Sequence, residues 1–205
     1  MTSAANYHTF YQDFLDHKYD IVLGTQMIAK GLHLPKVRLV GVILADLSFH
    51  FPEYTAQEKT FQLLTQVSGR AGRVGDIGKV LIQTYDPEYS VLKHVVNHDY
   101  AAFRSEELGF RQEYWYPPFC DLLRLTIYEK NSRDAKASAL GLKTLLTTQK
   151  EARNLSFELL GPTPSWFHRR VGQFGYHLIL KVPKGKDVLS ELVSFLPKGV
   201  AIDRE

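Results

Sequence analysis

Cysteine is almost absent from this sequence, with Cys120 alone among 205 residues. A single thiol excludes an intrachain disulfide and any zinc site built from several cysteines of this chain. Cys120 reads as a packed, small apolar residue. No stretch approaches the roughly eighteen apolar residues of a membrane span, and no charged-then-apolar leader is visible. A soluble, cytosolic protein is therefore expected. Neither charge sign is in clear excess: 25 Lys and Arg against 22 Asp and Glu leave a net charge of +3. That balance does not by itself imply a nucleic-acid partner, so local basic clusters must carry such an argument. The phosphate loop Gly-x-x-x-x-Gly-Lys-Ser/Thr is missing too, because the pairs Gly78-Lys79 and Gly185-Lys186 are followed by Val80 and Asp187. There is also no Asp-Glu dipeptide of the kind that marks a magnesium-binding box.

What is present suffices for real cores: 44% hydrophobic residues in a chain long enough for one large domain or two small ones. Phe10, Phe14 and Leu15 recur at helical spacing, and the apolar run Ile21-Val22-Leu23 ending at Gly24 predicts a buried strand. A second run, Val37 to Ala45, lacks strict alternation, as in a parallel strand covered on both faces. Asp46 ends it, a position that suits either function or loop hydrogen bonding. Lys79 to Thr84 predicts another strand, Pro87 to Asn97 a short helix, and Tyr100 to Gln112 a longer one containing Phe103 and Leu108. The prolines of Tyr114-Trp115-Tyr116-Pro117-Pro118-Phe119 break any helix and mark a domain boundary. Its aromatics suit either packing between domains or stacking on unpaired bases. Beyond it, alternating Leu123, Leu125 and Ile127, helically spaced Ala135, Ala139, Leu142 and Leu146, and the runs Ser156 to Leu160, Tyr176 to Val182, Val188 to Val193 and Val200 to Asp203 give the order βαββαβ.

The chain centres on Gln66-Val67-Ser68-Gly69-Arg70-Ala71-Gly72-Arg73. Thr55 and Glu58 have capping-box spacing and predict a helix running through Phe61, Leu64 and Val67. If helical geometry continues, Gln66, Arg70 and Arg73 form one polar stripe, with Gly69 and Gly72 leaving room beside it for a bulky anion. The same spacing also describes a solvated surface helix ended by Gly72. Upstream, Gly24-Thr25-Gln26-Met27-Ile28-Ala29-Lys30-Gly31 joins a predicted strand to a short helix. Thr25 there suits a phosphate contact or an N-cap, and Gly31 a C-terminal cap. Trp166-Phe167-His168-Arg169-Arg170 mixes stacking groups and cations, as single-strand binding or a solvated basic loop would.

Together these words resemble motifs V and VI of superfamily-two helicases, in the form found in the PriA family of primosomal replication-restart helicases. The resemblance covers nearly the whole chain but only the end of the family's proteins. It implies an α/β fold: residues 1–113 as part of a RecA-like second helicase lobe with a parallel sheet, then residues 114–205 as a small α+β, ribosomal S10-like, DNA-binding domain. It implies that Arg70 and Arg73 reach the γ-phosphate as arginine fingers, and that Gln66, Gly69 and Gly31 border the nucleotide. Gly24, Thr25, Trp166, Arg169, Arg170 and Lys181 would contact DNA. His33 stands where many relatives carry aspartate and receives no role. Gln173 and Gly175 stand where arginine is frequent, which leaves the contacts of the last domain to Arg169, Arg170 and Lys181. ATP and magnesium would be held together with a first lobe, and zinc only by a cysteine-rich part outside this sequence. The implied partners are single-stranded and forked DNA, single-strand-binding protein and primosome proteins, without a membrane, in a bacterial cytoplasm at the nucleoid. The remaining alternative is a motor-less single-strand or fork DNA-binding module.

Overall fold

The computed structural model describes residues 4–25, 37–69, 78–165, 172–186 and 188–204. It divides into two compact units, Met1–Glu107 and Leu108–Glu205.

The first unit opens with helix α1 (Ala4–Leu15). Strands β1 (Leu39–Val42) and β2 (Lys79–Ile82) pair in parallel, with Leu39 opposite Lys79 and Val42 opposite Ile82. The crossover between them carries α2 (Asp46–Phe49) and α3 (Ala56–Ser68), and β2 is followed by α4 (Ser90–Val96) and α5 (Tyr100–Glu113). One face of the pair, through Val42 and Ile82, packs on a core of Phe49, Phe61, Leu64, Val91, Val95 and Phe103. Phe61 and Phe103 stack at 4.4 Å between centroids, fastening α3 to α5. On the other face Leu39, Ile43 and Leu81 are exposed.

Two expectations need correction here. Ile21-Val22-Leu23 is not a buried strand: it is unpaired, with Ile21 80% and Leu23 83% exposed. An apolar run becomes a buried strand only where a neighbour takes up its backbone groups and layers cover its faces, and among the described residues β1 pairs with β2 alone. The capping box of α3 does not form either. Thr55 lies near φ −91°, ψ 5°, outside the extended conformation that aims an N-cap side chain at the helix amides. Its hydroxyl donates to Glu53 instead (3.4 Å), while Glu58 accepts from Gln62 (3.1 Å).

The second unit has the expected βαββαβ order: β3 (Cys120–Glu129), α6 (Ser132–Ala152), β4 (Glu158–Pro164), β5 (Phe174–Pro183), α7 (Val188–Val193) and β6 (Ala201–Arg204). Its four-stranded sheet runs β4-β5-β3-β6, all antiparallel. Asn131 caps α6 by accepting from the Asp134 amide at 2.8 Å. Alternation along the strands turns Leu123, Leu125, Leu178, Leu180 and Val182 onto one face, where Leu142 and Leu146 of α6 and Leu192 of α7 close the core. Leu125 and Leu178 are wholly buried, each one strand from the other in direct register. Leu125→Ala should destabilise this unit by about 2–5 kcal/mol through lost transfer energy plus a cavity. Urea unfolding followed by far-UV circular dichroism would measure it, and a loss well below 1 kcal/mol would mean that the core refills the space.

Candidate functional site

The carboxyl ends of β1 and β2 are tied by one carboxylate. Past β1, Leu44 takes a left-handed conformation (φ 56°), and the chain turns into α2. The Ala45 amide still reaches the Gln83 carbonyl at 3.0 Å. Asp46 then accepts from the Thr84 hydroxyl (2.9 Å) and from the Tyr85 amide through both oxygens (3.0 and 3.2 Å). Desolvation works to raise the pKa of this carboxyl, but hydrogen bonds from Thr84 and nearby amides outweigh it and hold the group below its ordinary value of 3.8. Of the two roles open to Asp46 in the sequence, loop hydrogen bonding is the one its geometry fills.

The polar stripe expected from the sequence begins at the last turn of α3. Gln66 is exposed there, turned away from buried Phe61 and Leu64. Helical geometry reaches Gly69, whose φ of −69° needs no glycine, and whose amide donates to the Thr65 carbonyl at 3.1 Å. A Cβ on Gly69 would meet only the Thr65 and Gln66 carbonyl oxygens, both at 3.7 Å. Both are ordinary van der Waals contacts, and Gly69, like Gln66, is exposed. Arg70, Arg73 and Gly31 lie outside the described residues, so the stripe is followed as far as Gly69. Gly24 and Thr25 are exposed at the end of the unpaired 21–25 segment.

In the second unit the structure corrects one predicted contact. Lys181 lies on β5 facing away from the α6 core, where alternation predicts a solvent-exposed cation. Instead it is 5% exposed. The segment leading into β3 folds over that face: the Lys181 ammonium donates to the Tyr114 carbonyl (2.7 Å), sits 4.1 Å from the centre of the Tyr116 ring, and has Glu158 at 3.9 Å. A cation so occupied fixes the segment and is not available to a DNA backbone. Cys120 does related work, its thiol donating to the Trp115 carbonyl at 3.1 Å. Burial raises the Cys120 pKa, so the proton needed for that bond is retained. Sequence reasoning assigned Cys120 only a packing role; nothing in periodicity reveals a contact across five residues of irregular chain.

Trp166, Arg169 and Arg170 lie outside the described residues. Nearby Gly175 has a packing reason to be glycine: a Cβ would come within 3.0 Å of both Ser165 and the Tyr128 ring. No arginine fits there without displacing them. Among the described residues no group of three or more His, Cys, Asp or Glu is placed to hold a metal ion, and no helix is long and apolar enough to cross a membrane.

Comparison with known proteins sets these two units in context. The model for the helicase conserved C-terminal domain matches residues 2–75, and that for the primosomal protein N C-terminal domain matches residues 112–205. The chain is 42% identical to the replication restart protein PriA of Bacillus subtilis over 168 residues, 82% of this chain and 20% of that protein. It is 36% identical to PriA of Treponema pallidum over 199 residues, 95% of this chain and 30% of that protein. With PriA of Synechocystis it shares 36% identity over 187 residues, 90% of this chain and 22% of that protein.

The chain belongs to the PriA family. It corresponds to the C-terminal part of these proteins and spans 20 to 30% of the length of the relatives just named. Its α/β first unit with a parallel strand pair and its antiparallel second unit fit that placement. PriA membership also makes it a helicase-family chain, through the match over residues 2–75.

Two measurements test the geometry. Lys181→Met leaves the Tyr114 carbonyl without its donor and the Tyr116 ring without its cation. It should cost about 1–3 kcal/mol in urea unfolding, and an unchanged midpoint would show that the ammonium's contacts contribute nothing net. For Asp46 the sign follows from a lowered folded-state pKa: its stabilisation is full above 3.8 and is lost as pH falls through the folded value, below 3.8. The NMR shift of the Tyr85 amide should therefore titrate with a midpoint under 3.8, a step absent in Asp46→Asn. A midpoint at or above that value would contradict the clip.

Proposed function

We propose that this chain is the C-terminal part of an ATP-dependent DNA helicase that recognises stalled or abandoned replication forks and restarts replication by primosome assembly. The observation that carries this reading is the succession, in one chain, of a helicase C-terminal match over residues 2–75 and a primosomal C-terminal match over residues 112–205. Residues 1–113 would serve as part of the second motor lobe and residues 114–205 as the DNA-binding domain.

In the first, Arg70 and Arg73 would stabilise charge on the γ-phosphate, Gln66 and Gly69 would border the nucleotide together with Gly31, and Gly24 and Thr25 would meet one DNA strand. The exposure of Gln66 and Gly69 at the end of α3 supports that reading. ATP, with magnesium, supplies the phosphoryl-transfer energy that drives movement along DNA. Since the sequence has no phosphate loop, the nucleotide would be shared with a first lobe. Trp166, Arg169 and Arg170 would contact single-stranded or forked DNA in the second domain. Single-strand-binding protein and primosome proteins would be partners, in the bacterial cytoplasm at the nucleoid.

A motor-less DNA-binding module is the competing reading, and one series of measurements separates the two. Fluorescence anisotropy of a labelled forked oligonucleotide should report binding that weakens about tenfold between 50 and 200 mM salt if two or three phosphates are neutralised. Arg169→Ala with Arg170→Ala should flatten that slope. The chain alone should hydrolyse no ATP; mixed with a polypeptide of the family carrying the phosphate loop, it should gain DNA-stimulated turnover that Arg70→Ala or Arg73→Ala lowers about a thousandfold. Salt-sensitive binding with no gain of turnover in a demonstrably formed complex would favour the module over the motor.

A further inference from the structure

Beside the lead-in segment of the second unit lies an open groove of about 570 Å³, in the size range of small-ligand sites. It is lined by Trp115, by Lys150 at the end of α6, by residues 154–158 leading into β4, and by Lys186.

The Trp115 backbone is held in the left-handed region (φ 52°), a conformation that disfavours a bulky residue. Its surroundings hold it there. The Trp115 amide donates to the Gln112 carbonyl (3.3 Å), and its own carbonyl accepts from the Cys120 thiol (3.1 Å). The next residue, Tyr116, lies under the Lys181 ammonium. This fastening leaves the indole half-buried, with no aromatic ring of the described residues stacked on it. A residue held at a strained φ by its neighbours, half-buried and lining an open groove, can serve as a platform.

The charges around it indicate what it takes. The Lys150 ammonium lies 5.3 Å from the centre of the Phe157 ring. Neither it nor exposed Lys186 has a carboxylate partner among the described residues. Glu158 is the one acidic residue of the lining, and Asn154 and Ser156 add neutral donors and acceptors. A planar face for an unpaired base, two cations for phosphate, and short polar side chains for base edges match a single-stranded nucleotide. An acidic peptide would meet the same cations but would bring no base to lay on the Trp115 ring.

We infer that this groove binds an unpaired nucleotide of single-stranded nucleic acid, the base stacked on Trp115 and its phosphates against Lys150 and Lys186. The inference deepens the DNA-binding reading and rests on it. Trp115 and Trp166 are the two tryptophans of the sequence, so in the Trp166→Phe protein the emission belongs to Trp115. Oligo(dT) added to that protein should quench it saturably, in step with anisotropy of the labelled oligonucleotide. In the same background Lys150→Ala with Lys186→Ala should weaken binding by at least about fivefold, with thermal unfolding unchanged. Lys136→Ala, on an exposed position of α6, provides the comparison. Anisotropy that reports binding while Trp115 emission and the double variant leave it unmoved would overturn the groove and leave the DNA reading standing. No binding by the folded protein in either signal would overturn both. Quenching by an acidic peptide but not by oligo(dT) would assign the groove to a protein partner and likewise refute the inference.

Discussion

An ammonium taken out of water must be met by oxygen or by an aromatic face, because isolated burial of a charge is prohibitive. Lys181 meets that demand with the Tyr114 carbonyl, the Tyr116 ring and, at longer range, Glu158. Its partners come from two separate stretches, the lead-in segment and the start of β4, and meet a residue of β5. The requirement therefore acts as a positional constraint. Wherever the lead-in segment goes, it must return a carbonyl and a ring to one spot on the outer face of the sheet. Once it does, Cys120 at the head of β3 is in reach of the Trp115 carbonyl, and the left-handed turn at Trp115 follows from what lies on either side. The groove beside Trp115 is a consequence of that anchoring, not of any motif.

The first unit is organised by a different constraint. A parallel pair of strands leaves both faces to be covered, and among the described residues of the first unit one face is packed while Leu39 and Leu81 on the other are exposed. The covered face is dense, with Phe49 stacked on Tyr89 at 4.5 Å and Phe61 on Phe103 at 4.4 Å. Asp46 adds a polar tie between the ends of the two strands, independent of that core. The pair thus has one face and one end fixed internally. Exposed Leu39, Ile43 and Leu81 on the other face, and unpaired Ile21 and Leu23, have the composition of surfaces that sheets bury.

How far the sequence discloses this differs between the units, and for physical reasons. In the second, every strand and helix was legible, because alternation and helical spacing report a core that lies wholly within residues 120–204. In the first, β1, β2 and α3 to α5 were legible from apolar runs, yet Ile21-Val22-Leu23 was not, since hydrophobicity records the tendency to be buried and not the partner that does it. The capping box at Thr55 and Glu58 failed through backbone conformation, which spacing does not encode. Lys181 failed in the opposite sense to Ile21: alternation put it on the outer face, correctly, but could not show that an irregular segment sixty-seven residues away covers that face. Gly175 shows the same limit, since its reason to be glycine is a tyrosine on the neighbouring strand.

These contrasts bear on how the two proposed activities depend on one another. Everything that shapes the Trp115 groove, from Lys181 to Cys120 to the end of α6, belongs to the second unit and is satisfied there by hydrogen bonds and packing already made. The features of the first unit proposed to meet nucleotide and DNA are of another kind: Gln66 and Gly69 for the nucleotide, Gly24 and Thr25 for a DNA strand, all of them exposed. A site that is prepaid in internal contacts keeps its shape when its neighbours change, whereas one made of exposed groups depends on what closes over it. The proposed stacking site of the second unit and the proposed nucleotide contacts at Gln66 and Gly69 are therefore expected to respond separately to substitution.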